Sequence, residues 1–167
     1  MRQRSSKAKA PQPGEAFDTG LRLLGRRDHS REELRRKLDR RGHDQETIDA
    51  ALARITELGH IDDQAFARAY VGRRASVRGP RAIAAELAAR GIDRSSSEAA
   101  LADFGATEQL QAAIRLVERA CVQEPEMSYR EMLDKIGSRL LRRGFQGQVV
   151  QAACRAVLSG AVQPHDD

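Results

Sequence analysis

The 167-residue chain has no tryptophan, and its two tyrosines and four phenylalanines amount to only 4% aromatic residues. A core must therefore be built from leucine, isoleucine, valine and alanine, which suits closely packed helices. Base stacking on aromatic platforms has few residues to use. There are two cysteines, Cys121 and Cys154. Both stand among apolar residues in predicted helices, so they read as buried reduced thiols rather than a disulfide framework. Neither has a plausible base to make it a nucleophile. No apolar run approaches the roughly 20 residues that cross a bilayer, and the basic N-terminus lacks the apolar segment of a secretory signal. No membrane association is expected, and the cytoplasm is the expected location. Phosphate-binding glycine loops are missing: neither Gly-x-x-x-x-Gly-Lys-Ser/Thr nor Gly-x-Gly-x-x-Gly after a strand occurs. His29, His43, His60 and His165 have no metal-ligand spacing to one another or to the cysteines. The expectation is a non-enzymatic protein with no cofactor and no metal.

What is present is a helical pattern that repeats. Residues 1–14 carry Arg2, Arg4, Lys7 and Lys9 and then prolines, which reads as a flexible basic tail. A first helix from about Glu15 places Phe17, Leu21 and Leu24 at helical spacing. Ser30 and Glu33 form a capping box for the second, which carries Leu34 and Leu38 and stops at Arg40-Arg41-Gly42. A third, capped by Asp44, runs through Ile48, Leu52, Ile55 and Leu58. The same order then recurs. A helix from Asp62 carries Phe66, Ala69, Tyr70 and Val77. One after Gly79-Pro80 carries Ile83 and Leu87 and stops at Arg90-Gly91. One with a Ser95 to Glu98 box carries Ala99, Leu101 and Ala102. A third round begins near Thr107 with Leu110, Ile114, Val117 and Cys121. It continues from a Ser128 to Glu131 box, flanked by a Met127 and Met132 staple, to Arg142-Arg143-Gly144, and ends with Val149, Val150, Ala153, Val157 and Leu158.

Aligning Gly42, Gly91 and Gly144 gives a period of about fifty residues. The expected fold is all-α, an elongated array of three tandem three-helix modules resembling helix-turn-helix repeats. The modules cover 15–59, 60–105 and 106–160, with a disordered C-terminus at 161–167. Each is too small for an ample core of its own, so neighbours should support one another. In the third module the second helix is four residues longer than its counterparts, about one turn.

Charge is segregated. The net charge is +5, which attracts polyanions, nucleic acid above all. Between Gln64 and Ala85 stand Arg68, Arg73, Arg74, Arg78 and Arg81 with no acidic residue; between Lys135 and His165 stand Arg139, Arg142, Arg143 and Arg155, again with none. Some of these arginines sit where a cation complements a helix C-terminus, as do Arg142 and Arg143. The cluster from Arg68 to Arg81, with no acid to balance it, is less well explained in that way. We therefore take Arg68, Arg73, Arg74, Arg78, Arg81, Arg139, Arg142 and Arg143 as candidate partner- or DNA-binding residues. A helix-turn-helix reading remains open, although acidic third helices in the first two modules would be repelled by phosphate.

The chain's most informative joint is Leu58-Gly59-His60-Ile61-Asp62-Asp63, followed by Phe66 and Ala67. Gly59 can close one helix in the left-handed conformation. Asp62 reads as the cap of the next, with Asp63 adding negative charge at its positive end. Ile61 and Phe66 are placed to form a hydrophobic staple. A metal or acid/base pair at Asp62-Asp63 is disfavoured, because adjacent side chains on a helix diverge.

Three strings carry a family resemblance: Ser30-x-x-Glu33-Leu34-x-x-x-Leu38-x-x-x-Gly42; Leu58-Gly59-His60-Ile61-Asp62-Asp63-x-x-Phe66-Ala67-x-x-Tyr70-Val71; and Gly79-x-x-x-Ile83-x-x-Glu86-Leu87-x-x-x-Gly91-Ile92. Together they resemble the RecX regulatory proteins of bacteria, over about residues 15–160, with Ile-Asp-Asp-x-x-Phe-Ala as the family's signature. His60 stands where the family often has an aromatic. The resemblance implies a non-enzymatic modulator of the RecA recombinase, lying in the groove of the RecA–DNA filament. There it would suppress ATP hydrolysis, co-protease activity, strand exchange and filament growth. The expected partners are the RecA filament and, weakly, single- and double-stranded DNA, and the expected state is a monomer. The alternative is an autonomous helix-turn-helix-like DNA-binding or transcription-regulating protein.

Overall fold

A computed structural model describes residues 13–122 and 126–161. Most of the expected tail (1–14) and of the expected C-terminus (161–167) lies outside the described residues, but the first helix takes in Pro13 and Gly14 and the last takes in Ala161. Every described regular element is helical. The order is α1 (Pro13–Leu24), α2 (Arg31–Asp39), α3 (Gln45–Glu57), α4 (Asp63–Arg74), α5 (Pro80–Ala88), α6 (Arg94–Ala102) and α7 (Ala106–Cys121). Then come α8 (Tyr129–Met132), a π-helical segment (Leu133–Gly137), α9 (Ser138–Arg142) and α10 (Gly147–Ala161). The chain divides into two compact units between Phe66 and Ala67, within α4.

The repeat expected from Gly42, Gly91 and Gly144 is a repeat of helix endings. Each of these glycines, and Gly59 as well, has a positive φ, between +73° and +88°. At each, the residue after the glycine donates its N–H to a carbonyl five residues back: His43 to Leu38, His60 to Ile55, Ile92 to Leu87 and Phe145 to Leu140. That is the Schellman ending, and a glycine meets its left-handed requirement at the least steric cost. The accepting residues Leu38, Ile55, Leu87 and Leu140 are all buried, as are the donors His43, Ile92 and Phe145, whereas His60 is exposed.

In the first unit, the core is Ala16, Leu23, Leu34, Leu38, Ile48, Ala51, Leu52, Ile55 and Ile61. Here α1 buries Ala16, Gly20 and Leu23 rather than Phe17, Leu21 and Leu24, which are only partly buried. At Gly20 there is no room for a side chain, since a Cβ there would sit 2.5 Å from Ile55 Cδ1 of α3. Leu58, expected on the core face of α3, is the C-cap residue and 45% exposed. In the second unit, α7 to α10 enclose a core that includes Leu116, Val117, Met127, Met132, Ile136, Leu140, Phe145 and Val150. The Ser128–Glu131 capping box is present in both directions. The four extra residues do not simply add a turn; the helix widens into π geometry over Leu133–Gly137. Two other expectations need correction. Helix α4 ends at Arg74, leaving Val77 exposed. Helix α6 is capped by Asp93, whose carboxylate accepts from Ser96 N–H, and not by a Ser95–Glu98 box. The helix buries Ser96, Ser97 and Ala100, leaving Ala99 and Ala102 exposed and Leu101 only partly buried.

His29 offers a pH test of the first unit. It is buried, its Nδ1 lies 2.9 Å from the Arg27 carbonyl, and its buried Nε2 makes no hydrogen bond. Nδ1 thus carries the proton in the neutral ring. Burial holds the pKa below the ordinary 6.5, with Arg27 and Lys37 adding to the lowering and the Arg27 carbonyl and Glu33 opposing it. A base with a depressed folded-state pKa binds protons more readily when unfolded, so stability falls as pH drops through 6.5 toward the folded value. Urea midpoints measured from pH 7.5 to 5 should decline over that window, and His29→Gln should flatten the decline.

Candidate functional site

The joint after α3 fixes how α4 begins. Gly59 has φ +73°. Asp62 Oδ1 accepts from Ala65 N–H at 2.9 Å, the side-chain cap expected of it; such caps contribute about 1 kcal/mol. Ile61 and Phe66, on either side of it, are both buried, and Ala67 is fully so. Asp63 does something the sequence did not signal. Its Oδ1 accepts from the backbone N–H of Arg31 at 2.8 Å, so it satisfies a free donor in the first turn of α2. The two adjacent carboxylates thus serve two different helix N-termini.

Two of the five arginines from Arg68 to Arg81 are tied to a carboxylate one residue beyond the acid-free span. Arg74 grips Glu86 with two N–H groups, Nε to Oε2 at 3.0 Å and Nη2 to Oε1 at 3.1 Å. Arg78 Nε lies 3.3 Å from Oε1. The Tyr70 hydroxyl donates to Oε2 at 2.6 Å, and the Arg90 guanidinium lies over the Tyr70 ring at 4.5 Å. Arg74 chiefly holds the Glu86 carboxyl below its usual range, with Tyr70 and Arg78 helping against burial. Burial first, then Glu86, pushes the Tyr70 hydroxyl up. This network clamps α4 to α5, which accounts structurally for Arg74 and much of Arg78. Its acid was visible in the sequence only as Glu86 of the third family string. Replacing Glu86 by alanine should cost about 1–2 kcal/mol, the scale for hydrogen bonds to a charged group at a site still partly open to solvent. A urea denaturation series would measure it.

The remaining arginines are brought together by a backbone joint. The Gly79 N–H donates to the Arg143 carbonyl at 2.8 Å, and the Arg81 N–H donates to the Gly144 carbonyl at 3.3 Å. The N-terminus of α5 therefore abuts the end of α9, and the orphan donors of one helix meet orphan acceptors of the other. Glycine is required on both sides. A Cβ on Gly79 would lie 2.3 Å from the Gly144 carbonyl carbon, and one on Gly144 would lie 2.3 Å from Ala82 N. In consequence Arg81, from the first acid-free span, and Arg142 and Arg143, from the second, flank a single contact, with Arg78 beside it. Arg81, Arg142 and Arg143 form no ion pair with any described residue, and Arg81 and Arg142 are exposed. A cation near the start of α5 gains nothing from the helix dipole, which favours anions there. Arg81 is thus unexplained by local structure. Arg73 and Arg139 are exposed and also form no ion pair with any described residue; Arg68 lines a separate cleft toward α7. Among the described residues, no group of three or more histidine, cysteine, aspartate or glutamate side chains is placed to hold a metal.

Comparison with known proteins fits this architecture. Residues 16–54 match the family model described as RecX, first three-helix domain, and residues 62–101 match RecX, second three-helix domain. The chain is 41% identical over 156 residues to the regulatory protein RecX of Xanthomonas axonopodis pv. citri, covering 87% of this chain and 93% of that relative. It is 34% identical over 137 residues to the regulatory protein RecX of Geobacillus thermodenitrificans, covering 81% of this chain but only 51% of that longer relative. The crystal structure of RecX from Lactobacillus salivarius superposes with a TM-score of 0.80 at 23% identity, covering 88% of this chain and 97% of that one, a likeness of fold. Two consecutive three-helix domains and a relative matched along nearly its whole length place this chain in the RecX family of regulatory proteins.

Proposed function

We propose that the protein is a non-enzymatic regulator that binds the RecA–DNA filament in its groove and inhibits ATP hydrolysis, co-protease activity, strand exchange and filament extension. The observation that carries this reading is the joint at Gly79 and Gly144. It brings the backbones that carry arginines from two acid-free spans into hydrogen-bonded contact, so that one anionic partner would meet them together. A filament presents recombinase and DNA phosphate side by side. Three tandem three-helix modules, acting as a monomer, would engage successive protomers through contacts weak alone and strong together. Charge segregated along the chain into acid-free and acid-bearing stretches suits a groove that offers both protein and nucleic acid. The reading is tested by titrating the protein into a RecA ATPase reaction before and after filament assembly. Inhibition in both orders supports groove binding; inhibition only before assembly points to capping of filament ends. The alternative, an autonomous regulator of transcription, requires sequence-dependent binding to naked duplex far above non-specific affinity. Weak, salt-steep and sequence-blind binding is the expected result.

A further inference from the structure

Beside α4, on the side of α6 and α7, lies a cleft of about 500 Å³, within the rough 300–1,000 Å³ span of ligand sites. Two helices wall it with matching stripes. Arg68, Gly72 and Ala75 line it from α4, and Glu108, Ala112 and Arg115 from α7, in both cases at positions i, i+4 and i+7, which fall on one helix face. Buried Ala100 and Phe104 form the apolar floor.

Two features distinguish this cleft from an ordinary gap between helices. Gly72 lies within α4, yet a Cβ there would meet nothing within 4 Å. Packing gives no reason for a glycine that costs the helix about 1 kcal/mol relative to alanine; its effect is to keep the cleft open. Second, the cleft is lined by Arg68 and Arg115 together with Asp103 and Glu108, two charges of each sign. None of the four forms an ion pair with any described residue. Exposed charges of both signs around an apolar floor complement a segment that carries an apolar anchor between an acid and a base. The mode of docking follows from the walls. Strand addition needs a sheet edge, which the described residues lack, and a polyproline groove needs several aromatics, whereas Phe104 is the sole aromatic lining residue. Two facing helices with small residues between them accept a third helix.

We propose that this cleft docks an amphipathic helix of the recombinase. A large apolar side chain would enter over Ala100 and Phe104, an acid would meet Arg68 or Arg115, and a base would meet Asp103 or Glu108. The inference rests on the recombinase reading above and adds to it a protein-binding site separate from the arginine joint. The test uses Gly72→Leu, which fills the cleft from open space, and Arg115→Gln. Affinity for DNA-free RecA and for a single-stranded oligonucleotide would be measured separately for each variant, with melting temperature as a check on folding. Gly72→Leu is expected to melt no lower than the parent, to bind RecA about tenfold more weakly and to hold the oligonucleotide unchanged; Arg115→Gln should weaken RecA binding about threefold. RecA affinity unchanged in both variants would overturn the proposal. So would self-association of the parent chain that Gly72→Leu abolishes, since the occupant would then be a second copy. A parent chain that binds neither RecA nor its filament would instead refute the recombinase reading itself.

Discussion

Alanine at position 144 is expected to destabilise the protein by about 3 kcal/mol, whereas alanine at position 42 should cost only about 1 kcal/mol. The two glycines have nearly the same backbone, φ +88° and +84°, and carry the same strain for an L-residue, about 1–2 kcal/mol. They differ in what surrounds them. Nothing lies within 4 Å of a Cβ at Gly42, but at Gly144 the new atom would be 2.3 Å from Ala82 N and 2.6 Å from Ala82 Cβ. Overpacking of this kind adds about 1–3 kcal/mol. It would also push the end of α9 away from α5 and lengthen the Arg81 to Gly144 hydrogen bond. Gly79→Ala gives an independent check, because its φ is an unstrained −84° and any loss there is steric. Urea unfolding of Gly42→Ala, Gly79→Ala and Gly144→Ala separates the two contributions. Equal losses at 42 and 144 would mean the joint is not closely packed.

Reversing charge at Arg81, Arg142 and Arg143 together should weaken binding to the RecA–DNA filament roughly a hundredfold, through lost phosphate contacts and added like-charge repulsion. Helical circular dichroism should stay unchanged, since none of the three pairs with a described acid. The dependence of log affinity on log salt should flatten by about three, one for each lost cation. Reversal at Arg74 serves as the contrasting variant. Its partner is Glu86, so its main effect should be on stability.

The helix boundaries that depend on local chemistry were legible in the sequence. Gly42, Gly59, Gly91 and Gly144 announce Schellman endings, Ser30, Asp44, Asp62 and Ser128 announce caps, and all eight occupy those roles. Faces were less legible, because alanine-rich helices bury small residues that periodicity counts for little; Ala16 with Gly20, and Ala112 with Ala113, are examples. Asp93 competes in the sequence with Ser95 and Glu98, which offer a capping box of their own, and local chemistry does not decide between them. The candidate site was visible as two runs of arginine but not as one place. Nothing local to residues 79–81 or 142–144 foretells that their backbones will bond across more than sixty positions. Nor could residue spacing show that Glu86, just outside the first run, draws in Arg74 and Arg78 while leaving Arg81 free for a partner.

The proposed restraint of a recombinase filament depends on the arginines carried at the Gly79–Gly144 joint. The most direct test is a titration of DNA-dependent RecA ATP hydrolysis with the parent protein and with the variant reversed at Arg81, Arg142 and Arg143. The expectation is concentration-dependent inhibition by the parent, with roughly a hundredfold more of the variant required, the factor that follows from its weakened binding. Equal inhibition by the two proteins, or none by the parent, would contradict it.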